Sequence, residues 1–475
     1  MKGHNKKMEL LGSAPIPKAL LAMGIPTMIG MMISAIYNLV DAYFVGSLGT
    51  SQMGAISVTY PLSQVIVGLG LLFGNGAGSY ISRLLGRGNN DDAKKVASTA
   101  LYSGLLLGII FIIGTLAFLE PILKFLGTTE SIMPYAIKYA RIFIAASIFN
   151  IFNVMMNNII TSEGAAKISM FAMLSGALLN MILDPIFINV LNMGVTGAAI
   201  ASAIGQALST VVFLSYILMK KSIFTFKIKD CCYSKENMKE ILKIGVPTLV
   251  FQLLTSLSII LINNQANALS VTHTKEYVDS VIAGMGAVTR IVSMGSLMVF
   301  GFIKGFQPIA GYSYGAKNFK RLNESIKTSI LWSTVFCALF GLILILFPAT
   351  IISKFTAGDM ELVRIGQASL RANGFSIMLF GFYTVYSSLF LALGKGLEGF
   401  ILGACRQGIC FVPIILLLPS LVGISGILYA QPIADLISAI ITVFMAINLH
   451  KSLEKERLSY IKNVESVSYT HLTLP

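Results

Sequence analysis

The sequence predicts an all-α integral membrane protein: twelve transmembrane helices in two pseudo-symmetric six-helix bundles. Three observations predict it, namely the composition, a series of apolar runs and an internal repeat. Of 475 residues, 55% are hydrophobic and 12% charged, with a mean hydropathy of +0.79. Soluble domains carry roughly 25% charged residues, so this chain lacks the ionised groups needed to cover a water-facing surface. The same numbers exclude a disordered or collagen-like chain, and five cysteines are too few for a disulfide scaffold. Cys231 and Cys232 lie in a lysine-rich stretch and Cys337, Cys405 and Cys410 in apolar runs, none at metal-ligand spacing, so they read as inert thiols.

A spanning helix needs about 20 mostly apolar residues. Runs with few or no charges cover residues 19–44, 54–82, 96–119, 135–162, 168–191, 197–219, 241–268, 280–310, 322–347, 361–393, 398–420 and 424–449. With both termini on one side, 25 of the 35 Lys and Arg residues belong to that side, seven to the other side and its helix ends, and Arg290, Lys304 and Arg406 fall deeper inside spans. The positive-inside bias then places both termini in the cytoplasm of a multi-pass protein of the cell (inner or plasma) membrane. The formal charge of +14 is a topology signal, and no nucleic-acid partner is expected. The run after the basic N-terminal segment is too long for a signal-peptide core, so no cleavable leader is expected. Residues 466–475 (SVSYTHLTLP) match nothing upstream and read as a non-native or unstructured tail.

The repeat orders the rest. KALLAMGIPTMI (18–29) matches KEILKIGVPTLV (239–250), LLGRGNNDDAKKV (84–96) matches YGAKNFKRLNESI (314–326), and GVTGAAIASAIGQALS (194–209) matches GISGILYAQPIADLIS (423–438). Two halves follow: residues 1–219, and 239–450 after a basic linker at 220–238, with a cytoplasmic tail at 451–475. Six spans per half give the halves parallel topology, with a pseudo-two-fold axis along the membrane normal. A cleft between two such bundles suits alternating access.

GIPTMIG (24–30), YNLVDAYFVGSLG (37–49), GAGSYISRLLGRGN (76–89), SEGAAK (162–167), NMILDPIFI (180–188) and GVTGAAIAS (194–202) are the stretches that identify a resemblance. They resemble the multidrug and toxic compound extrusion (MATE) family, which shares a larger group with lipid-linked oligosaccharide flippases. Asp41 together with Asn180 and Asp184 is similar to the MepA-type and DinF-type branch, whose cation site lies in the N-terminal half. The resemblance implies a V-shaped, outward-open fold and cation-coupled antiport of amphipathic or cationic drugs. Acids that matter in the seventh and tenth spans of other branches are missing here, where the seventh span offers Gln252, Asn263 and Asn264.

The residues themselves lead the same way. An acid near the middle of a spanning helix costs about 2.5–3.5 kcal/mol on insertion scales, so it faces a cavity or a partner. Away from the span ends, three acids lie within the predicted spans: Asp41, Asp184 and Asp435. Helical spacing puts Ser34, Tyr37 and Asn38 beside Asp41, and Asn180 and Met173 beside Asp184. Pro185 breaks or kinks the fifth span. Asn150, Asn153 and Asn157 stripe the fourth span, and Ser202, Gln206 and Ser209 the sixth. Lipid satisfies none of these groups, so the four faces are expected to converge on a wet cavity in the first bundle. The repeat maps Asp41 to Ile262 and Asp184 near Ile414, so the two halves differ in function.

Two carboxylates close together in a low-dielectric pocket cannot both ionise cheaply. The expected coupling group is therefore Asp41, Asp184, Asn180, Tyr37 and Ser202, taking a proton or sodium. Sodium would sit on Asp41, Asn180 and Asp184, since hard cations favour oxygen. The expected substrate wall is Asn153, Asn157, Met173, Asn38 and Gln206, with Met155 and Met156 as weaker candidates. No cofactor other than the coupling ion is expected, and the pump is expected to act as a monomer. Asp435 is expected to pair with Arg406 or Lys304, and Arg83 and Arg87 to anchor at headgroups. A lipid-linked glycan flippase is the competing reading and an integral-membrane enzyme a weaker one; His4, His273, His450 and His471 all lie away from mid-span.

Overall fold

The computed structural model describes residues 2–46, 48–268, 275–353 and 360–472; Lys354 and His273 lie outside them. In chain order the helices are α1 (Lys2–Gly12), α2 (Ile16–Gly46), α3 (Thr50–Gly86), α4 (Asn90–Ala117), α5 (Leu119–Phe125), α6 (Met133–Ser162) and α7 (Ala166–Pro185), with a wider π turn at Ile186–Val190. Then come α8 (Val195–Leu218), α9 (Lys235–Ala268), α10 (Lys275–Gly315), α11 (Phe319–Leu346), α12 (Pro348–Ile352) and α13 (Met360–Ala392). The chain continues with α14 (Gly396–Ala404), a π turn at Cys405–Ile409, α15 (Phe411–Val422) and α16 (Ile424–Leu472). Twelve of these helices, counting α14 and α15 with their π turn as one, are long and apolar enough to cross a bilayer, and no strand occurs among the described residues. α16 runs on to Leu472, so residues 466–472 are helical where the sequence suggested an unstructured tail.

The outer helices turn apolar side chains outward in helical register: Leu106, Ile109, Ile110 and Ile113 on α4, and Leu331, Val335, Leu339 and Leu342 on α11. Water would penalise those faces and lipid does not. The duplication is visible in the backbone itself. Asn89 caps α4 by accepting from the Asp92 amide at 3.2 Å, and Asn318, 229 residues on, caps α11 by accepting from the Arg321 amide at 3.0 Å. Phe118 and Phe347 end these helices with nearly the same dihedrals. Gly194 (φ 57°, ψ −138°) and Gly423 (φ 61°, ψ −138°) make the same turn before α8 and α16, a conformation that disfavours any Cβ.

The halves meet along a seam of close-packed glycines. A methyl on Gly305 of α10 would lie 2.5 Å from the Gly24 amide nitrogen of α2, and one on Gly301 would lie 2.5 Å from Met28 Cα. One on Gly245 of α9 would strike the Leu72 carbonyl of α3 at 1.9 Å. All these contacts belong to the parts of the helices nearer the side that carries the termini. The helix α2 serves both halves. Ile16, Leu20 and Met23 lie in one apolar core with Val299, Phe302 and Phe306 of α10. Thr27 and Met28 still touch Gly301 of α10, and beyond them the helix packs on α7, with Gly30 facing Met173.

On the terminal side, α1 ties the halves together. Lys7 bonds to the fully buried Glu163 at 2.9 Å, and Glu163 also accepts from Ser222 Oγ (2.9 Å) and the Ile223 amide (2.7 Å). At the other end Arg321 donates to the carbonyls of Leu10, Leu11 and Ala14, the end of α1 where unpaired carbonyls collect. The 220–238 linker docks on α4, with Tyr102 donating to the Phe226 carbonyl and the Cys232 amide to Thr99. Arg83 corrects the expectation of a headgroup anchor. It is 7% exposed in its side chain and pairs with Glu240 of α9 at 2.9 Å, whereas Arg87 is exposed. A buried position sealed by glycines leaves a guanidinium no route to the headgroups, so it takes the nearest carboxylate.

Candidate cation and substrate site

The inner faces of α2, α6, α7 and α8 bring one polar group together. Asn180 and Asp184 lie one turn apart on α7, and the Asn180 amide donates to both Asp184 Oδ1 and Ser202 Oγ of α8, at 3.3 Å each. Tyr37 of α2 stands beside Ser202 and lies within electrostatic range of Asp41 and Asp184. Asp41 and Asp184 act on each other through space. Asn180 and Asp184 are 2% and 0% exposed, and the chain there ends its regular helix at Pro185 and widens into the π turn. Proline removes one amide donor and displaces the carbonyl one turn back, which loosens α7 beside the acid.

Three oxygens of this group, Asp41 Oδ1, Asn180 Oδ1 and Asp184 Oδ2, are buried without a hydrogen-bond donor. An orphaned buried acceptor costs roughly 1–3 kcal/mol, and three in one cluster form an all-oxygen acceptor set. Such a set suits a proton or a hard cation and offers nothing to a soft metal. Tyr139 of α6, 7% exposed, faces the same acids, and the sequence reading passed it over. The signal was present: Tyr139 lies 11, 14 and 18 residues before Asn150, Asn153 and Asn157, on their own helical stripe.

The substrate-wall candidates form a second group nearer the terminal side. The Asn153 amide donates to the Gln206 carbonyl and to Gln206 Oε1, both at 2.8 Å, and its oxygen accepts from Thr210 at 3.0 Å. Asn157 donates to Met173 Sδ at 2.9 Å, and its own Oδ1 has no donor. Asn157 and Met173 line a cavity with Thr27, Met31, Ser169 and Met170, whereas Asn153 and Gln206 are bonded to each other outside its lining. Asn38 stands apart from both groups: it is exposed, and its amide turns back to the Ser34 carbonyl at 2.8 Å. Met155 and Met156 are fully buried in the apolar core and belong to packing.

The second half builds something different at the related place. Arg406, in the π turn, pairs with Asp435 of α16 at 2.9 Å, Gln431 donates to the same carboxylate oxygen at 2.7 Å, and Phe380 lies under the guanidinium at 4.6 Å. Asp435 thus takes Arg406 as its partner and not Lys304. The repeat maps Gln431 to Ser202 and Asp435 to Gln206, so where the first half leaves oxygens unpaired, the second closes them with a fixed cation.

Comparison with known proteins agrees with this architecture. The MatE family model matches twice, over residues 26–186 and 254–417, a spacing close to the internal repeat. The multidrug export protein MepA of Staphylococcus haemolyticus (strain JCSC1435) is 30% identical over 446 residues, covering 94% of this chain and 96% of that protein. MepA of Staphylococcus aureus (strain MSSA476) is 30% identical over 437 residues, 92% of this chain and 94% of its own. Among solved structures, the outward-facing conformation of a multidrug resistance MATE transporter superimposes with a TM-score of 0.87 at 26% identity, covering 94% of this chain and 98% of that one. A MATE transporter in the bent conformation gives 0.87 at 26% identity, covering 95% and 99%. By both halves of its sequence and by its whole fold, the chain belongs to the MATE family.

Proposed function

We propose that this protein exports amphipathic and cationic drugs across the plasma membrane by antiport against protons or sodium, as a monomer with both termini in the cytoplasm. The MepA relatives bear the name of multidrug export proteins, and the chain shares nearly their full length. One observation carries the coupling: three buried acceptor oxygens without donors on Asp41, Asn180 and Asp184, beside Tyr37, Tyr139 and Ser202. A cation entering from outside satisfies all three at once. The acids then stop repelling each other, and the face of α2 that carries Asp41 draws toward α7.

The helix α2 transmits that change because it belongs to both halves. Gly24 and Pro26 lie within a turn of the point, after Met28, where it leaves the α10 core for α7. A proline in a helix interior removes a hydrogen bond and permits a bend. Bending there moves α2 into the space beside Met31, Asn157 and Met173 and displaces a bound drug. One charge crossing about 150 mV supplies roughly 3.5 kcal/mol, enough to hold a drug of no net charge at a gradient of a few hundredfold, since each 1.4 kcal/mol is tenfold. For a monocationic drug exchanged one for one the charges cancel and the ion's concentration gradient does the work.

A glycan flippase would need several cations converging on the central cleft. Here Arg290 is exposed and Arg406 is tied to Asp435, which favours the drug exporter. Dye efflux from inverted vesicles of an efflux-deficient host, driven in turn by imposed pH and sodium gradients, tests the proposal. Uptake with one gradient supports it and names the ion, while uptake with neither overturns it.

A further inference from the structure

Among the described residues, Lys304 is the one interior cation left without a role. It lies on the part of α10 that packs against α2, and no ion pair or hydrogen bond to it is found among the described residues. The interior acids are engaged elsewhere: Asp41 and Asp184 act on each other and Asp435 is bonded to Arg406. An ammonium at this depth is costly unless something balances it. Lys304 is also the single residue shared by two interior cavities. One carries Asn157, Met173, Met170 and Met31. The other is polar, with Asn75, Asn158, Ser162 and Gln307. Both are narrow in this conformer, and the Lys304 side chain stands where they meet.

We infer that Lys304 is a substrate-specificity residue that binds the carboxylate of zwitterionic amphipathic substrates. The geometry divides the labour. The methionine-lined cavity takes the apolar body, because thioether side chains adapt to varied shapes, and the ammonium takes the acid end. Ser82, Thr161 and Ser162 all donate to backbone carbonyls, which leaves Lys304 to supply the charge. One ammonium balances a monoanionic carboxylate; a phosphate dianion calls for a cluster or a bidentate arginine. The inference deepens the drug-export reading and rests on it.

A matched dye pair tests it in an efflux-deficient bacterial host: rhodamine 110, with a free carboxylate, and rhodamine 123, its methyl ester. The wild-type protein is expected to export both. Lys304→Met should lower export of the carboxylate dye about tenfold and leave the ester within twofold, and Lys304→Arg should restore the carboxylate dye. Equal loss of both dyes in Lys304→Met, or no loss of either, would overturn the inference in favour of a packing role. Wild-type export of the ester alone would overturn it while leaving drug export intact, whereas export of neither dye would sink the export reading itself. Replacing chloride by gluconate separates a bound halide from the substrate carboxylate. Loss of ester export on chloride removal, reproduced by Lys304→Met, would assign the ammonium to the halide and overturn the inference.

Discussion

Replacing Gly305 by alanine puts one methyl group into the seam between the halves. Its carbon would lie 2.5 Å from the Gly24 amide nitrogen and 2.6 Å from the Met23 carbonyl carbon, both backbone atoms that cannot swing aside. Ordinary contact begins near 3.4 Å, so α2 and α10 must separate by most of an ångström. Overpacking of this kind costs about 1–3 kcal/mol. That cost falls on the conformer closed on the terminal side and is relieved when the halves part there, which shifts the equilibrium toward opening by about 5- to 150-fold. The assay is maleimide labelling of a Ser79→Cys reporter in a background lacking the native cysteines. Ser79 is 1% exposed and donates to the Leu391 carbonyl across the seam, so it labels only when the seam opens. Gly114→Ala is the control, because nothing lies within 4 Å of a methyl there. Faster labelling in Gly305→Ala but not in Gly114→Ala is expected. Equal labelling in the wild type and Gly305→Ala would refute the reasoning, since the seam would then not be what holds that face shut.

Asp41→Asn and Asp184→Asn should each keep drug binding within severalfold but lose accumulation against a gradient, a drop of a few hundredfold in the ratio read by vesicle dye uptake. Arg406→Met leaves Asp435 buried without its cation and should destabilise the fold by about 3–5 kcal/mol, read as a lower melting temperature in detergent; a paired Asp435→Leu should recover much of it. Asn89→Ala and Asn318→Ala remove equivalent caps from α4 and α11, and each should cost about 1 kcal/mol, with nearly equal shifts in thermal stability.

Much of this was legible in the sequence because a bilayer imposes few solutions. Twelve apolar runs became twelve spanning segments whose ends moved by a few residues, apart from α16, which runs on past 449 to Leu472, since lipid punishes any unsatisfied backbone and helices alone satisfy it locally. Asp184, Asn180 and Ser202 could be placed together for a related reason: polar groups on inward faces have nowhere else to go. Arg83 departs from its expected place because helical spacing shows which face a residue occupies but not what lies across a seam built by Gly315 and Gly394, far along the chain. Tyr139 was passed over because tyrosine is common at helix ends, although its register with Asn150, Asn153 and Asn157 marked it. The role of α2 in both halves was hidden for a simpler reason. A repeat assigns a helix to its own half, and only packing showed Leu20 and Met23 in the core of the other.

The central claim is that drug and cation compete for one state of the first half, through the orphaned oxygens of Asp41, Asn180 and Asp184. The most direct measurement is the cation released when drug binds to purified protein in weakly buffered detergent, followed with a pH indicator and a sodium electrode. About one proton or one sodium ion per drug is expected from the wild type, and none from the Asp41→Asn, Asp184→Asn double variant at unchanged drug occupancy. The same release from both proteins would contradict the account.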